Sequence, residues 1–174
     1  MQTDVSDGVR RLAAQGVIDP DRVCVVGASY GGYVALAGMT LEPGVYRCAV
    51  SISGVSDLRA MLLEEQRQGA QGDANPTLRY WKRFMGAASA DDASLDAWSP
   101  ARRVTRDTGT ILMIHGRNDI TVPYQQSEIM QRAMGSRASL VTLADEDHYL
   151  STEATRQQML SATMSFLEQH NPPR

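Results

Sequence analysis

Residues Arg22 to Tyr33 read R-V-C-V-V-G-A-S-Y-G-G-Y. The run Val23-Cys24-Val25-Val26 is apolar, rich in β-branched side chains and short enough for a buried strand. The chain then turns at Gly27-Ala28-Ser29-Tyr30-Gly31-Gly32 and continues into Tyr33–Met39, which reads as a helix. Strand, G-x-S-x-G and helix in that order make a nucleophile elbow. A serine on so sharp a turn takes a sparsely populated backbone conformation, which excludes bulky flanking residues. Gly27 and Gly31 are expected to remove Cβ atoms that would collide where strand and helix nearly touch, and Gly32 to add packing clearance. An ordinary nucleotide-binding turn is the weaker reading, because G-A-S-Y-G-G has neither the G-x-G-x-x-G pattern nor a Walker lysine.

Working outward, strands and helices alternate. Thr3 is expected to cap a first helix with apolar positions Val5, Val9, Leu12 and Ala13, stopped by Gly16. After the elbow helix come a second strand, Arg47–Ile52, and a loop, Ser53–Asp57. Residues 58–107 contain no convincing strand. Leu58–Arg67 and Thr77–Met85 read as helices, Gly69–Pro76 as loop, and Ser94–Pro100 as a short helical turn. The sheet resumes at Thr110–His115, followed by a helix over Pro123–Met134, a fourth strand at Ala138–Leu143 and a last helix from Ser151. This alternation predicts an α/β fold, a parallel sheet with helices on both faces. Residues 1–174 form one domain, with 58–107 as a cap-like helical insertion. Tyr80, Trp81, Phe84 and Met85 in that insertion are the expected apolar lining of a substrate pocket, or else Trp81 and Phe84 merely anchor their helix to the core.

Bulk properties exclude several classes. Of 174 residues, 43% are hydrophobic and 21% charged, and the net charge is −3, as in a soluble globular domain. No basic cluster suits nucleic acid, and no apolar run approaches the roughly 18 residues of a membrane span. The polar N-terminus Met1-Gln2-Thr3-Asp4 has no signal-peptide character, so a cytoplasmic location is expected. Cys24 and Cys48 each begin a buried strand and are expected as reduced apolar thiols, although they could be neighbours. No spacing suggests a metal site.

An elbow serine needs a base to take its proton and a third group to orient that base. In the order Ser…Asp…His, the acid follows a later strand and the histidine follows the last one. Asp119 follows the strand ending at His115, and His148 follows the strand ending near Leu143. All three would share the C-terminal edge of the sheet, where α/β folds place their sites. Of the three histidines, His170 lies in the C-terminal tail and His115 reads as a structural, hydrogen-bonded residue. Asp145 and Asp147 lie too close to His148 along the chain. Asp57, after the second strand, is the competing acid, with Asp119 preferred on order and position.

These motifs resemble the prolyl oligopeptidase family of serine peptidases, particularly its acylaminoacyl-peptidase and dipeptidyl-peptidase branches. The matching residues are Ile18–Val23, Gly27–Tyr33, Gly54–Leu58, His115–Asp119 with Val122-Pro123, Asp147-His148 and Phe166-Leu167. The resemblance covers nearly the whole chain. It implies Ser29 as nucleophile, Asp119 as orienting acid, His148 as general base and the backbone N–H of Tyr30 as an oxyanion donor. Thr121 stands where many relatives carry an arginine. The family's catalytic domain has further strands before the point where this chain starts, and usually a β-propeller before those. A truncated α/β-hydrolase fold is therefore expected, with no candidate for the second oxyanion donor.

The reading is a serine hydrolase that cleaves a peptide or ester acyl bond through an acyl-enzyme. It needs no cofactor or metal. Its expected substrates are short peptides or small esters. The alternative is a catalytically weak fragment acting through association with a partner chain. With Val23–Val26 left as a sheet edge, a homo-oligomer or a partner chain pairing at that edge is expected. Nucleic-acid and membrane partners are not.

Overall fold

A computed structural model of the chain describes residues 2–69 and 74–173. Four strands, β1 (Cys24–Ala28), β2 (Cys48–Ile52), β3 (Thr110–Gly116) and β4 (Ala138–Leu143), form one parallel sheet in the order β1-β2-β3-β4. Their near-continuous apolar runs suit burial on both faces. Ala49, Ile111 and Met113 point to one side and pack under α2 (Tyr30–Leu41) and α5 (Gln125–Met134), through Leu36, Met39 and Met130. Val50, Ile52, Leu112 and Ile114 point to the other, where α6 (Glu153–His170) contributes Phe166 and Met159. Fully burying each Leu, Ile or Met of these layers stabilises the fold by roughly 1.5–3 kcal/mol.

Helix α1 (Gln2–Ala14) departs from expectation. Thr3 lies inside the helix rather than capping it. Val5 and Leu12 are 43% and 41% exposed, while Ser6 is buried and hydrogen-bonds the Tyr46 hydroxyl at 3.0 Å. The side turned to the core is thus Gln2, Ser6 and Val9. Gly16 follows the helix in a left-handed conformation (φ +69°), as expected of its stop.

The cysteines also differ from expectation. Cys24 and Cys48 occupy the same register position on adjacent parallel strands, with Cα atoms 4.7 Å apart, and are joined as a disulfide. Register, which the sequence does not display, decides this pairing.

Between β2 and β3 lie α3 (Leu58–Gln68), α4 (Pro76–Met85) and the 3-10 turns Ala93–Trp98 and Pro100–Arg102. Of the loop expected over Gly69–Pro76, residues 70–73 lie outside the described residues. Asp57 and Asn75 cap α3 and α4 by accepting the amides of Ala60 and Thr77. Leu58, Leu62, Leu78 and Leu95 give this region a small core of its own, packed beside the C-terminal edge of the sheet through Tyr33 and Val55. Among the described residues no helix is long and apolar enough to cross a membrane.

Candidate active site

Ser29 sits between the end of β1 and the start of α2 with φ 56° and ψ −119°, outside the regions open to most L-residues. Its amide donates to the Ile52 carbonyl at 2.8 Å and its carbonyl accepts from Tyr33, which fixes the turn. A Cβ on Gly27 would lie 2.1 Å from the Gly31 carbonyl oxygen, and one on Gly32 would lie 2.7 Å from Gly54 Cα. Both glycines are sterically required. Gly31 is not, since a Cβ there meets open space; its backbone is what Gly27 must clear. Tyr30 is the first residue of α2, where a backbone N–H has no intrahelical acceptor.

Asp119 follows β3 on a tight turn. Its Oδ1 accepts the amides of Thr121 (2.9 Å) and Val122 (2.8 Å), and its Oδ2 faces His148 Nδ1 at 2.7 Å. His148, on the loop after β4, turns its Nε2 to Ser29 Oγ at 2.9 Å. The partners assign the tautomer: a carboxylate only accepts, so Nδ1 carries the proton and Nε2 can accept from the serine hydroxyl. Burial alone would raise the Asp119 pKa. Hydrogen bonds from His115, His148 and the Val122 amide outweigh it and hold the carboxyl at about 2. An anion is thereby kept beside the imidazole across the neutral pH range.

The neighbouring acids and histidines are otherwise engaged. His115 is fully buried, with Nε2 facing the Val122 carbonyl at 2.9 Å and Nδ1 facing Ser127 Oγ at 2.7 Å. That is the structural role expected of it, and its Nε2 also comes within 3.3 Å of Asp119. Asp57 is buried as the cap of α3 and pairs with Arg102 at 2.7 Å. Asp145 is exposed, and Asp147 accepts the Tyr149 amide. His170 ends α6 near Thr110, at the opposite end of the sheet.

Beside Ser29 opens a cavity of about 420 Å³, walled on one side by the insertion. Trp81, Phe84 and Met85 line it, as the sequence suggests. Tyr80 does not. It is 60% exposed and stacks on the outer side of Phe84, one helical step away from the lining. Sequence reading missed Tyr33, Val55 and Trp98, which complete the apolar wall near the serine. Tyr33 donates to the Trp98 carbonyl at 3.1 Å, tying the elbow helix to the insertion, and burial pushes its phenol up to about 12. Its place in the elbow motif was the available signal. Thr121 and Val122, beside Asp119, close the opposite side.

A hydroxyl beside an accepting imidazole, with that imidazole's other nitrogen on a buried carboxylate, is the arrangement that makes a serine nucleophilic. The prolyl oligopeptidase family profile matches residues 1–172. The chain is 29% identical over 181 residues to dipeptidyl aminopeptidase BIII of Pseudoxanthomonas mexicana, spanning 97% of this chain and 24% of that protein. Among solved structures, it resembles a Mycobacterium tuberculosis puromycin-hydrolyzing peptidase (TM-score 0.76, 24% identity, 96% of this chain, 24% of the other). It also resembles the Pyrococcus horikoshii acylaminoacyl peptidase (TM-score 0.78, 20% identity, 99% of this chain, 28% of the other). The chain thus spans about a quarter of the length of these proteins. With an α/β-hydrolase fold, a serine elbow and a profile match over nearly its whole length, the chain belongs to the prolyl oligopeptidase family of serine-peptidase-like hydrolases.

Proposed function

We propose that this chain hydrolyses a peptide or ester acyl bond, with Ser29 as nucleophile, His148 as general base and Asp119 as the acid that orients it. The observation that carries this reading is the hydrogen-bonded series Ser29 Oγ, His148 Nε2, His148 Nδ1, Asp119 Oδ2, at 2.9 and 2.7 Å. Ser29 Oγ attacks the substrate carbonyl carbon while His148 takes its proton. The tetrahedral oxyanion collapses to an acyl-enzyme as His148 returns the proton to the leaving amine or alcohol. Water, deprotonated by the same imidazole, then attacks the ester and frees Ser29 and the acid. The Tyr30 amide is the proposed oxyanion donor. A single donor of this kind is worth about 10²–10³ in turnover.

The cavity supports a substrate class. Its volume lies within the range of small-molecule sites, and its wall is aromatic and aliphatic, so an apolar side chain or acyl group fits it. Short peptides or small esters are the proposed substrates. Dipeptidyl-peptidase and acylaminoacyl-peptidase relatives favour the peptide. Nothing in the comparisons supports the alternative of a weak fragment acting only through association.

Intact-mass analysis after treatment with a fluorophosphonate tests the reading. One adduct on Ser29, absent in Ser29→Ala and in His148→Ala, is the expected result. An unlabelled wild type, or undiminished labelling of Ser29→Ala, would sink it.

A further inference from the structure

Glu146 is an acidic residue with 1% of its surface exposed, two positions before His148. Its carboxylate gathers the loop around it. Oε1 accepts the amides of Asp147 (3.0 Å) and Ser151 (2.9 Å). Oε2 accepts the amide and hydroxyl of Thr152 (3.2 and 3.1 Å) and the hydroxyl of Thr155. Thr152 is the N-cap of α6 and Thr155 lies in its first turn, so the anion also meets the positive end of that helix. Within the loop, Leu150 has φ +54°, a conformation that a branched residue keeps only where its surroundings impose it.

The same residue ties this loop to the one bearing Asp119. The Glu146 carbonyl accepts the Asn118 amide at 2.9 Å. A Cβ on Gly116 would lie 2.5 Å from the Glu146 carbonyl oxygen and 2.6 Å from that of Asp147, so the two loops also meet backbone to backbone. Whatever fixes Glu146 therefore fixes the spacing between Asp119 and His148.

We propose that Glu146 is the positioning residue of the site, whose buried carboxylate sets where the imidazole of His148 stands between Ser29 and Asp119. The proposal rests on the reading of His148 as the general base. A carboxylate suits the task because each of its five partners is a donor, and two oxygens can serve them all. A neutral amide cannot: its oxygen can serve one set of donors, while its NH₂ faces the other. Glu146 does not line the cavity beside Ser29, and its effect is expressed through the imidazole.

Two readouts on Glu146→Gln, Glu146→Ala and Thr155→Val, each checked for native circular dichroism, test this. The first is the rate of Ser29 labelling by a fluorophosphonate, per folded molecule. The second is the downfield proton resonance of the His148 Nδ1–H shared with Asp119. Displacing a reacting group by about 1 Å costs on the order of 10²-fold. Glu146→Ala is expected to label about 10²-fold more slowly, with Glu146→Gln and Thr155→Val falling between it and wild type. The downfield resonance is expected to broaden or vanish in the same order. Folded variants that melt earlier but keep the wild-type labelling rate and a sharp resonance would reduce Glu146 to a structural anchor and overturn the proposal. If Glu146→Ala does not fold, the other two variants carry the same test. A wild type that resists labelling refutes the hydrolase reading instead, and the resonance then still decides whether Glu146 holds the imidazole.

Discussion

Asp119 shows how much of the site a single residue's sequence context can reveal. Its place after the third strand makes it the proposed acid, and its bonds to His148 and to two backbone amides support that proposal. We expect Asp119→Asn to lower turnover of an activated ester by on the order of 10⁴, because an amide favours the wrong imidazole tautomer. Asp57→Asn should instead lower the melting temperature and leave turnover nearly intact, since Asp57 caps α3 and pairs with Arg102. A larger turnover loss in Asp57→Asn would move the acid to the loop after β2. Glu146 was not legible: in the run Asp145-Glu146-Asp147-His148 it looks like one more solvated acid, and only its burial distinguishes it. The Thr155 hydroxyl first, then three loop amides, hold its pKa at about 2 against burial, down from an ordinary 4.5. Asp119 sits at about 2 as well, down from 3.8. Both groups bind protons more tightly in the unfolded chain, so their stabilisation is complete above about pH 4.5 and is lost as pH falls toward about 2. The melting temperature should therefore decline through that window, and Glu146→Gln should flatten part of the decline. A profile that is level down to pH 2.5 would contradict both shifts.

At the level of elements, the strands were legible because parallel strands buried on both faces read as unbroken apolar runs. The helices were less so. In α1 a buried Ser6 takes the place that hydrophobic periodicity assigned to Val5 and Leu12, since the Tyr46 hydroxyl supplies a partner no pattern reveals. The insertion was read correctly as helical, yet the choice between pocket wall and core anchor for Trp81 was a false one. It lines the cavity and also packs against the Leu58–Leu95 cluster. Trp81→Ala should thus change acyl preference and cost roughly 2 kcal/mol, less than the ~3–5 of a fully buried aromatic. Phe84→Ala, at a site 51% exposed, should change preference alone. Unchanged preference in both variants would remove α4 from the site. The Cys24–Cys48 link closes a loop between β1 and β2, with a sequence separation of 24, and its reduction should cost roughly 3 kcal/mol in the chain-entropy account. Such bonds persist where thiols are kept oxidised. Alkylation without added reductant is expected to find no free thiol, and two alkylated cysteines would show that the bond is absent.

For the molecule as a whole, the decisive feature is that β1, which carries Ser29 at its end, pairs on one side only among the described residues. Its composition is that of an interior strand, yet Val26 is 46% exposed where α6 covers its neighbours. A groove of about 450 Å³ runs beside it, lined by Val23, Val26, Leu167 and Asn171. Native proteins protect sheet edges with charge, proline, bulges or a covering element, and Val23–Ala28 contains no charge and no proline. We expect this edge to recruit a strand from a second copy, so that sedimentation at micromolar concentration finds species heavier than a monomer. Val26→Lys places a charge on that edge without touching Ser29, His148 or Asp119, and should return the protein to a monomer with labelling of Ser29 unchanged. Loss of labelling together with loss of association would mean that the second copy contributes to the site. A wild type that sediments as a stable monomer and melts in one sharp transition would show that the edge is already protected and needs no strand.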